Sequence, residues 1–393
     1  MLYYLETFRN VFGPFRLFEY VTFRAGGALL TALLIVILFG KPVIKVLQKF
    51  CIANWRYENL LSEQEGEALK KKTPTMGGLL IVAAILVSTL LWGVMNRMLL
   101  IFLCVLCSLC ILGFLDDFIK IRYKRNIRDG ISGKAKLLVQ FLIALSAAYL
   151  LYKTPDAVTM KLFVPFFKDP VIALPDMDSA QVFLMTPWSE VPLLTLGIGW
   201  TTFFVALMLC FNGVVVTGAS NAVNLTDGKD GLAAGCMVFS SLAFAAFAYM
   251  CSHAVFAKYL AIPLIPNASE VCVFACAIAG ACIGFLWHNC NPASVFMGDT
   301  GSLPLGGVIG LIAVLIGQQL LLVIVGFVFV MEAGSVLLQV TYFKLTKGKR
   351  IFLCTPIHHH FEKLGWTENQ IVTRFWIIAG ICALLGMATL KLH

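Results

Sequence analysis

Gly113-Phe114-Leu115-Asp116-Asp117-Phe118-Ile119-Lys120 closes an apolar run that begins near Met98. Two adjacent carboxylates at the mouth of a membrane-length helix are costly unless a cation or a proton holds them there. The pair therefore reads as a metal and phosphate site. Taken alone it marks no more than the exit of the run into water. The rest of the chain decides, because four other polar loops fall on the same side of the membrane.

Of 393 residues, 60% are hydrophobic and only 13% charged, with a mean hydropathy of +0.88; a soluble domain carries about 25% charged residues. The chain is thus expected to be one integral membrane domain over residues 1–393. A net charge of +9 does not point to nucleic acid here, since basic residues are what retain loops on the cytoplasmic side. Cys104, Cys107 and Cys110 recur at helical intervals with no His nearby, which suits packing better than zinc. The N-terminus shows no basic segment followed by a short apolar core and cleavage site, so no removable signal is expected. Residues 1–24 mix aromatics with Arg9 and Arg16, a composition for lying in the interface.

Apolar runs long enough to cross about 30 Å of hydrocarbon lie near 25–47, 77–95, 98–115, 137–152, 194–216, 231–250, 270–287, 302–317, 319–343 and 371–390. The expected fold is all-α and polytopic, with ten transmembrane helices. Lys and Arg crowd the first connection (Lys41 to Lys72), the third (Lys120 to Lys136) and the ninth (Lys344 to Lys363), while even connections carry few. By the positive-inside rule the odd connections are cytoplasmic and both termini extracytoplasmic. The even connection 153–193, with five prolines and short alternating stretches, suits a small extracytoplasmic hairpin. Gly280/Gly284 and Gly306/Gly310 suit close helix packing, either within the chain or in a homodimer.

Every dense polar cluster falls in an odd connection. Lys70-Lys71-Lys72-Thr73-Pro74-Thr75-Met76-Gly77-Gly78 turns a basic run into a helix start, which presents ammonium and backbone N–H groups to an anion. Ser220 to Gly231 spaces Asn221, Asn224, Thr226, Asp227 and Asp230 before Gly231, as in a helix-breaking segment converging on a ligand. A calcium loop fails for want of alternating oxygens and a terminal Glu. His288 to Ser302 holds no Lys or Arg. Its one carboxylate, Asp299, stands between two nearby glycines, free to approach a metal shared with Asp116 and Asp117. Phe296 can stack on a planar ring or anchor the interface.

Three consecutive His, His358, His359 and His360, cannot share one zinc, because neighbouring side chains point apart. They suit hydrogen bonds to phosphate or carbonyl oxygens. Glu332 and Gln339, deep in an apolar run, are functional suspects by default. Carboxylates for Mg²⁺ with Lys70, Lys120 and Lys136 to neutralise phosphates are the equipment of phosphoryl transfer. A membrane location implies one lipid-borne reactant. A secondary transporter would instead place its polar groups near the midplane, often in repeated halves.

TPTMGG (73–78), GFLDDFIK (113–120), NAVNLTDGKDG (221–231), NPASVFMGDTGS (291–302) and PIHHHFE (356–362), in this order, resemble the phospho-N-acetylmuramoyl-pentapeptide transferase (MraY) family. That family lies within the polyprenyl-phosphate N-acetylhexosamine 1-phosphate transferases. The resemblance runs from Lys70 to Glu362. It implies Mg²⁺-dependent transfer of phospho-MurNAc-pentapeptide from UDP-MurNAc-pentapeptide to undecaprenyl phosphate, giving lipid I and UMP at the first membrane step of peptidoglycan synthesis. It also implies a multi-pass protein of the bacterial cytoplasmic membrane, working on its cytoplasmic face. A relative using UDP-GlcNAc is the alternative. By the same resemblance Asp116, Asp117 and Asp299 match the essential acidic and metal positions. Asn224, Asp227, Asn289 and His358 to His360 match other polar positions of the site. Lys70, Gly228, Asp230 and Phe296 match the uridine pocket, with Thr75 and Gln339 among the substrate contacts. Lys229 departs from the usual Leu, and 153–193 is longer than the pattern.

The expected chemistry is direct attack by the lipid phosphate on the β-phosphate of the nucleotide sugar. Asp299 with Asp117 holds Mg²⁺, Asp116 orients or deprotonates the lipid phosphate, and Lys and His groups balance charge. A route through an aspartyl-phosphate is the other possibility.

Overall fold

The computed structural model describes residues 1–55, 73–122, 130–154, 158–165, 170, 172–173 and 198–391. Two short 3₁₀ helices, Leu2–Phe8 and Gly13–Glu19, precede α1 (Val21–Trp55), α2 (Gly78–Trp92), α3 (Arg97–Arg122) and α4 (Gly133–Tyr152). A small hairpin of β1 (Lys161–Leu162) and β2 (Ile172–Ala173) follows. Then come α5 (Ile198–Thr226), α6 (Leu232–Ser252), α7 (Ala254–Tyr259), α8 (Ala268–Asn289), α9 (Asp299–Leu315), α10 (Leu321–Val325), α11 (Phe327–Leu345), α12 (Ile357–Lys363) and α13 (Glu368–Ala388).

Among the described residues, eight helices are long and apolar enough to cross a membrane: α1, α3, α4, α5, α6, α8, α11 and α13. Two expected spans come out shorter, α2 with 15 residues and α9 with 17, or roughly 22 and 26 Å at 1.5 Å per residue. The reason is plain for α9, which is buried from Thr300 through Leu315. A helix apolar on every side belongs inside protein and need not match the bilayer. It packs on α3 and α5 most extensively and also meets α2, α4, α6 and α8. The run 319–343 is not one span. Gly326 interrupts it between α10 and α11, where a residue without a side chain lets the backbone turn most cheaply. Fifth in order, α5 continues to Thr226, so Ser220 to Thr226 is helix and only Asp227 to Gly231 breaks it. Its amides reach the site from a rigid element.

The two glycine stripes are used inside the chain. A Cβ at Gly284 would lie 2.8 Å from the Leu33 carbonyl of α1, and one at Gly310 3.0 Å from Ala219 Cβ of α5. Neither stripe is left for a second copy. Exposed instead are Leu30, Leu34 and Leu38 of α1, Leu100 and Ile111 of α3, Leu138 and Leu142 of α4, and Leu384 and Leu385 of α13. That is the apolar belt of a chain whose outer solvent is lipid.

At the end of α9 away from Asp299, the hairpin docks through Val158 N–H to Leu315 O (3.3 Å) and Phe163 N–H to Gly317 O (3.3 Å). The hairpin expected in 153–193 is present among its described residues. Near the chain start, Arg24 of α1 and Glu270 of α8 form a buried two-bond ion pair of 2.7 and 2.8 Å. Glu270 also accepts from Val94 N–H at 2.7 Å, which ties three elements together.

Candidate active site

Position, more than local sequence, makes Asp116 and Asp117 a site. A Cβ at Gly113, one turn before them, would strike the Asp299 carbonyl, so α3 and the start of α9 meet backbone to backbone. Asp299 is the first residue of α9, after Gly298 at φ 72°, a left-handed backbone that glycine adopts without strain. Gly298 also admits its neighbours closely, since a Cβ there would lie 2.6 Å from Asp117 Oδ2 and 2.7 Å from Thr75 Oγ1. The loop before α9 is pinned to the 73–78 turn by Phe296 N–H to Pro74 O (2.9 Å), Gly77 N–H to Phe296 O (2.9 Å) and Gly78 N–H to Met297 O (2.9 Å).

Asp116, Asp117 and Asp299 thereby offer one oxygen each, all within 4.8 Å of one another. Lys120 Nζ lies 2.6 Å from Asp116 Oδ2 and 3.0 Å from Asp299 Oδ2. Lys136 Nζ lies 2.5 Å from the same Asp299 oxygen and 3.5 Å from Asp116 Oδ2. Asp117 Oδ2 accepts from Thr300 N–H (3.1 Å) and Thr300 Oγ1 (2.7 Å), a carboxylate on a helix N-terminus that wants one. The Ile131 N–H donates to Asp116 Oδ1 at 2.7 Å. Asn224 Nδ2 donates to Asp299 Oδ1 (2.6 Å) and Ser302 Oγ (2.9 Å). Three carboxylates faced by two ammonium groups leave a net negative charge. Their donors are all hard oxygens, so the set fits Mg²⁺.

Asp227, at the end of α5, has its carboxyl pushed well above the usual range, first by burial and then by the charges of Asp299 and Asp117; the Gly298 N–H opposes this. Asp230 Oδ2 accepts from Ala293 N–H (3.0 Å). Asn289 takes Gly231 N–H (3.0 Å) and donates to Val295 O (2.8 Å). These bonds knit the loops together. Phe296 joins the cluster's scaffold through its backbone. Lys70 lies outside the described residues.

The three histidines take different partners, but the His358 and His359 rings lie 4.2 Å apart, centroid to centroid, rather than pointing apart as expected. His358 is buried with Nδ1 3.0 Å from Glu332 Oε2, His359 Nδ1 lies 3.0 Å from Glu362 Oε2, and Leu353 N–H donates to His360 Nδ1 at 3.2 Å. Lys229, the departure from the usual Leu, donates to Glu362 Oε1 at 2.6 Å. That bond is the main reason the Glu362 carboxyl is drawn down to about 2. Gln339 accepts from Ile351 and Phe352 N–H (3.1 and 2.9 Å) and lines a cavity of about 320 Å³ with Phe343, Lys344, Arg350 and Phe352. Thr300 and Ser302, which steady Asp117 and Asn224, were not singled out by sequence reasoning. Their signal was their place beside Asp299 in the same motif, within a turn of a helix start.

A sequence model of glycosyl transferase family 4 matches residues 99–317, and a signature described as phospho-N-acetylmuramoyl-pentapeptide-transferase signature 1 matches residues 70–82. The chain is 44% identical over 395 residues to the phospho-N-acetylmuramoyl-pentapeptide-transferase of Desulfotalea psychrophila, covering 100% of this chain and 99% of the relative. It is 41% identical over 398 residues to the enzyme of that name from Methylacidiphilum infernorum, covering 100% of both. With that of Maridesulfovibrio salexigens it shares 45% over 384 residues, covering 97% of this chain and 96% of the relative.

Proposed function

This chain belongs to the phospho-N-acetylmuramoyl-pentapeptide-transferase family, and we propose that Asp116, Asp117 and Asp299 with Lys120 and Lys136 are the groups through which it works. The reaction moves phospho-MurNAc-pentapeptide from UDP-MurNAc-pentapeptide to a polyprenyl phosphate, releasing UMP, within peptidoglycan synthesis. The protein is a multi-pass bacterial membrane protein. Undecaprenyl phosphate as the acceptor, ten spans with both termini outside, and a site on the cytoplasmic face of the inner membrane complete our reading. The charge asymmetry of the connections supports the topology.

The observation that carries the site assignment is the meeting of three carboxylates from two distant helices under two shared lysines. Asp117 and Asp299 would hold Mg²⁺, which when bound neutralises charge on the diphosphate. Asp116 has both oxygens engaged, by Ile131 N–H and by the lysines; Asp299 is held likewise, by Asn224 and the same lysines, so metal binding there would displace an ammonium group from it, whereas Asp116 keeps its partners. Those bonds leave it to orient Lys120 and Lys136 toward a phosphate rather than to remove a proton. No strong base is required, because a phosphate monoester has its second pKa near 6. An oxygen of the lipid phosphate forms a bond to the sugar-bearing β-phosphorus. The bond from that phosphorus to the bridging oxygen breaks, and the electron pair leaves with UMP. Lys120, Lys136 and the His358 segment meet the charge that spreads over the oxygens.

The test compares UMP release by purified protein from UDP-MurNAc-pentapeptide and from UDP-GlcNAc, each with undecaprenyl phosphate. Release from the first alone is expected, and release from the second would move the chain to the other branch. Trapping a phosphorylated aspartate, or ping-pong kinetics, would replace direct attack with a two-step route.

A further inference from the structure

Glu332 and His358 are 0% and 1% exposed, inside a helix and a loop helix whose sequences are 26 residues apart. If Glu332 is a carboxylate, which can only accept, the 3.0 Å bond between its Oε2 and Nδ1 takes its proton from the ring. That leaves Nε2 as the outward nitrogen. It is buried without a hydrogen-bond partner and faces Gly228, where a Cβ would lie 2.5 Å from Nε2 and 2.7 Å from Cε1. Gly228 is itself exposed, so a backbone with no side chain separates Nε2 from the open side of the 227–231 loop. Interiors leave few such atoms unpaired.

The charges nearby say what Nε2 is for. Lys120 and Lys136 are shared between Asp116 and Asp299, and Lys229 is taken by Glu362. Each of these ammonium groups keeps a donor for a phosphate oxygen, but its charge is already balanced by a carboxylate, so an entering diphosphate brings negative charge that the lysines offset only in part. We infer that Glu332 is a positioning residue for the transfer reaction. It fixes His358 with Nδ1–H inward and supplies the counter-charge for a second ring proton, so that Nε2–H donates to a phosphate oxygen of the nucleotide substrate. With Glu332 ionised and the ring doubly protonated the buried pair carries no net charge, which is how an imidazolium is kept in a dry interior. This rests on the reading of His358 as part of the site.

The experiment measures kcat and KM for UMP release in the wild type, E332Q, E332D, H358Q and the double variant E332Q/H358Q, with folding checked by melting in detergent. E332Q keeps the shape and loses the charge, and its kcat is expected to fall about 10- to 100-fold with KM for the nucleotide little changed. E332D, which keeps the charge, recovers part of that loss. Because Glu332 acts through His358, E332Q is expected to cost nothing further in the H358Q background. Wild-type kcat in E332Q, or the same fold-loss with and without His358, overturns the inference while leaving the site intact. Wild-type kcat in H358Q overturns the site reading first and the inference with it. Should E332Q fail to fold, E332D in both backgrounds decides by the same comparison.

Discussion

At Asp227 the side chain and its surroundings disagree. Burial and the neighbouring charges of Asp299 and Asp117 push its carboxyl well above the usual carboxylate range. A group whose folded pKa is raised holds its proton longer folded than unfolded, so stability falls as pH rises from about 4 toward the raised value and stays lower above it. D227N removes that cost. Without divalent metal at pH 7 its melting temperature is expected to equal or exceed that of the wild type, while UMP release falls; a lower melting temperature would show the charge is not a burden. The residues that matter most were legible because the sequence itself isolates them. Asp116 and Asp117 close an apolar run and Asp299 follows Gly298, each in a motif with no other acid. Glu332 was legible as an anomaly but not as half of a pair, since nothing local links it to His358.

Among the elements, α9 does most to place the chemistry, and its sequence hides this. A 17-residue helix reads as a short span, yet it is the buried post on which α3 and α5 hang their polar ends. Where α5 ends was misread because Asn221, Asn224 and Thr226 are poor helix formers in isolation. Tertiary partners hold them helical, including Gln140 on Asn221 (2.5 Å) and Asp299 on Asn224 (2.6 Å). Arg24 and Glu270 were invisible as a pair, lying 246 residues apart. Breaking a buried pair by removing one partner costs about 3–5 kcal/mol, whereas replacing both with apolar groups is often neutral. R24M is therefore expected to lower the melting temperature in detergent sharply, and R24M/E270L to recover most of it. Equal losses in the two variants would contradict the account of that contact.

For the molecule as a whole, hydropathy located the apolar helices well because lipid demands them; α2 and α9 come out shorter than the runs it marked, α9 because protein surrounds it, and Gly326 breaks the 319–343 run. Sidedness follows from charge. A phosphatase that is active only outside the cytoplasm, fused after the C-terminus, is expected to be active, and a fluorescent reporter that requires the cytoplasm to be dark. The opposite pattern would turn the acids to the wrong face. The account stands on the three aspartates gathering at one divalent ion. Mn²⁺ soaked into crystals as a stand-in for Mg²⁺ tests this by anomalous scattering. A single strong peak bonded to Asp117 and Asp299 at the foot of α9 is the predicted result. A peak held by other residues, or a strong peak that persists in D299N crystals, would contradict it.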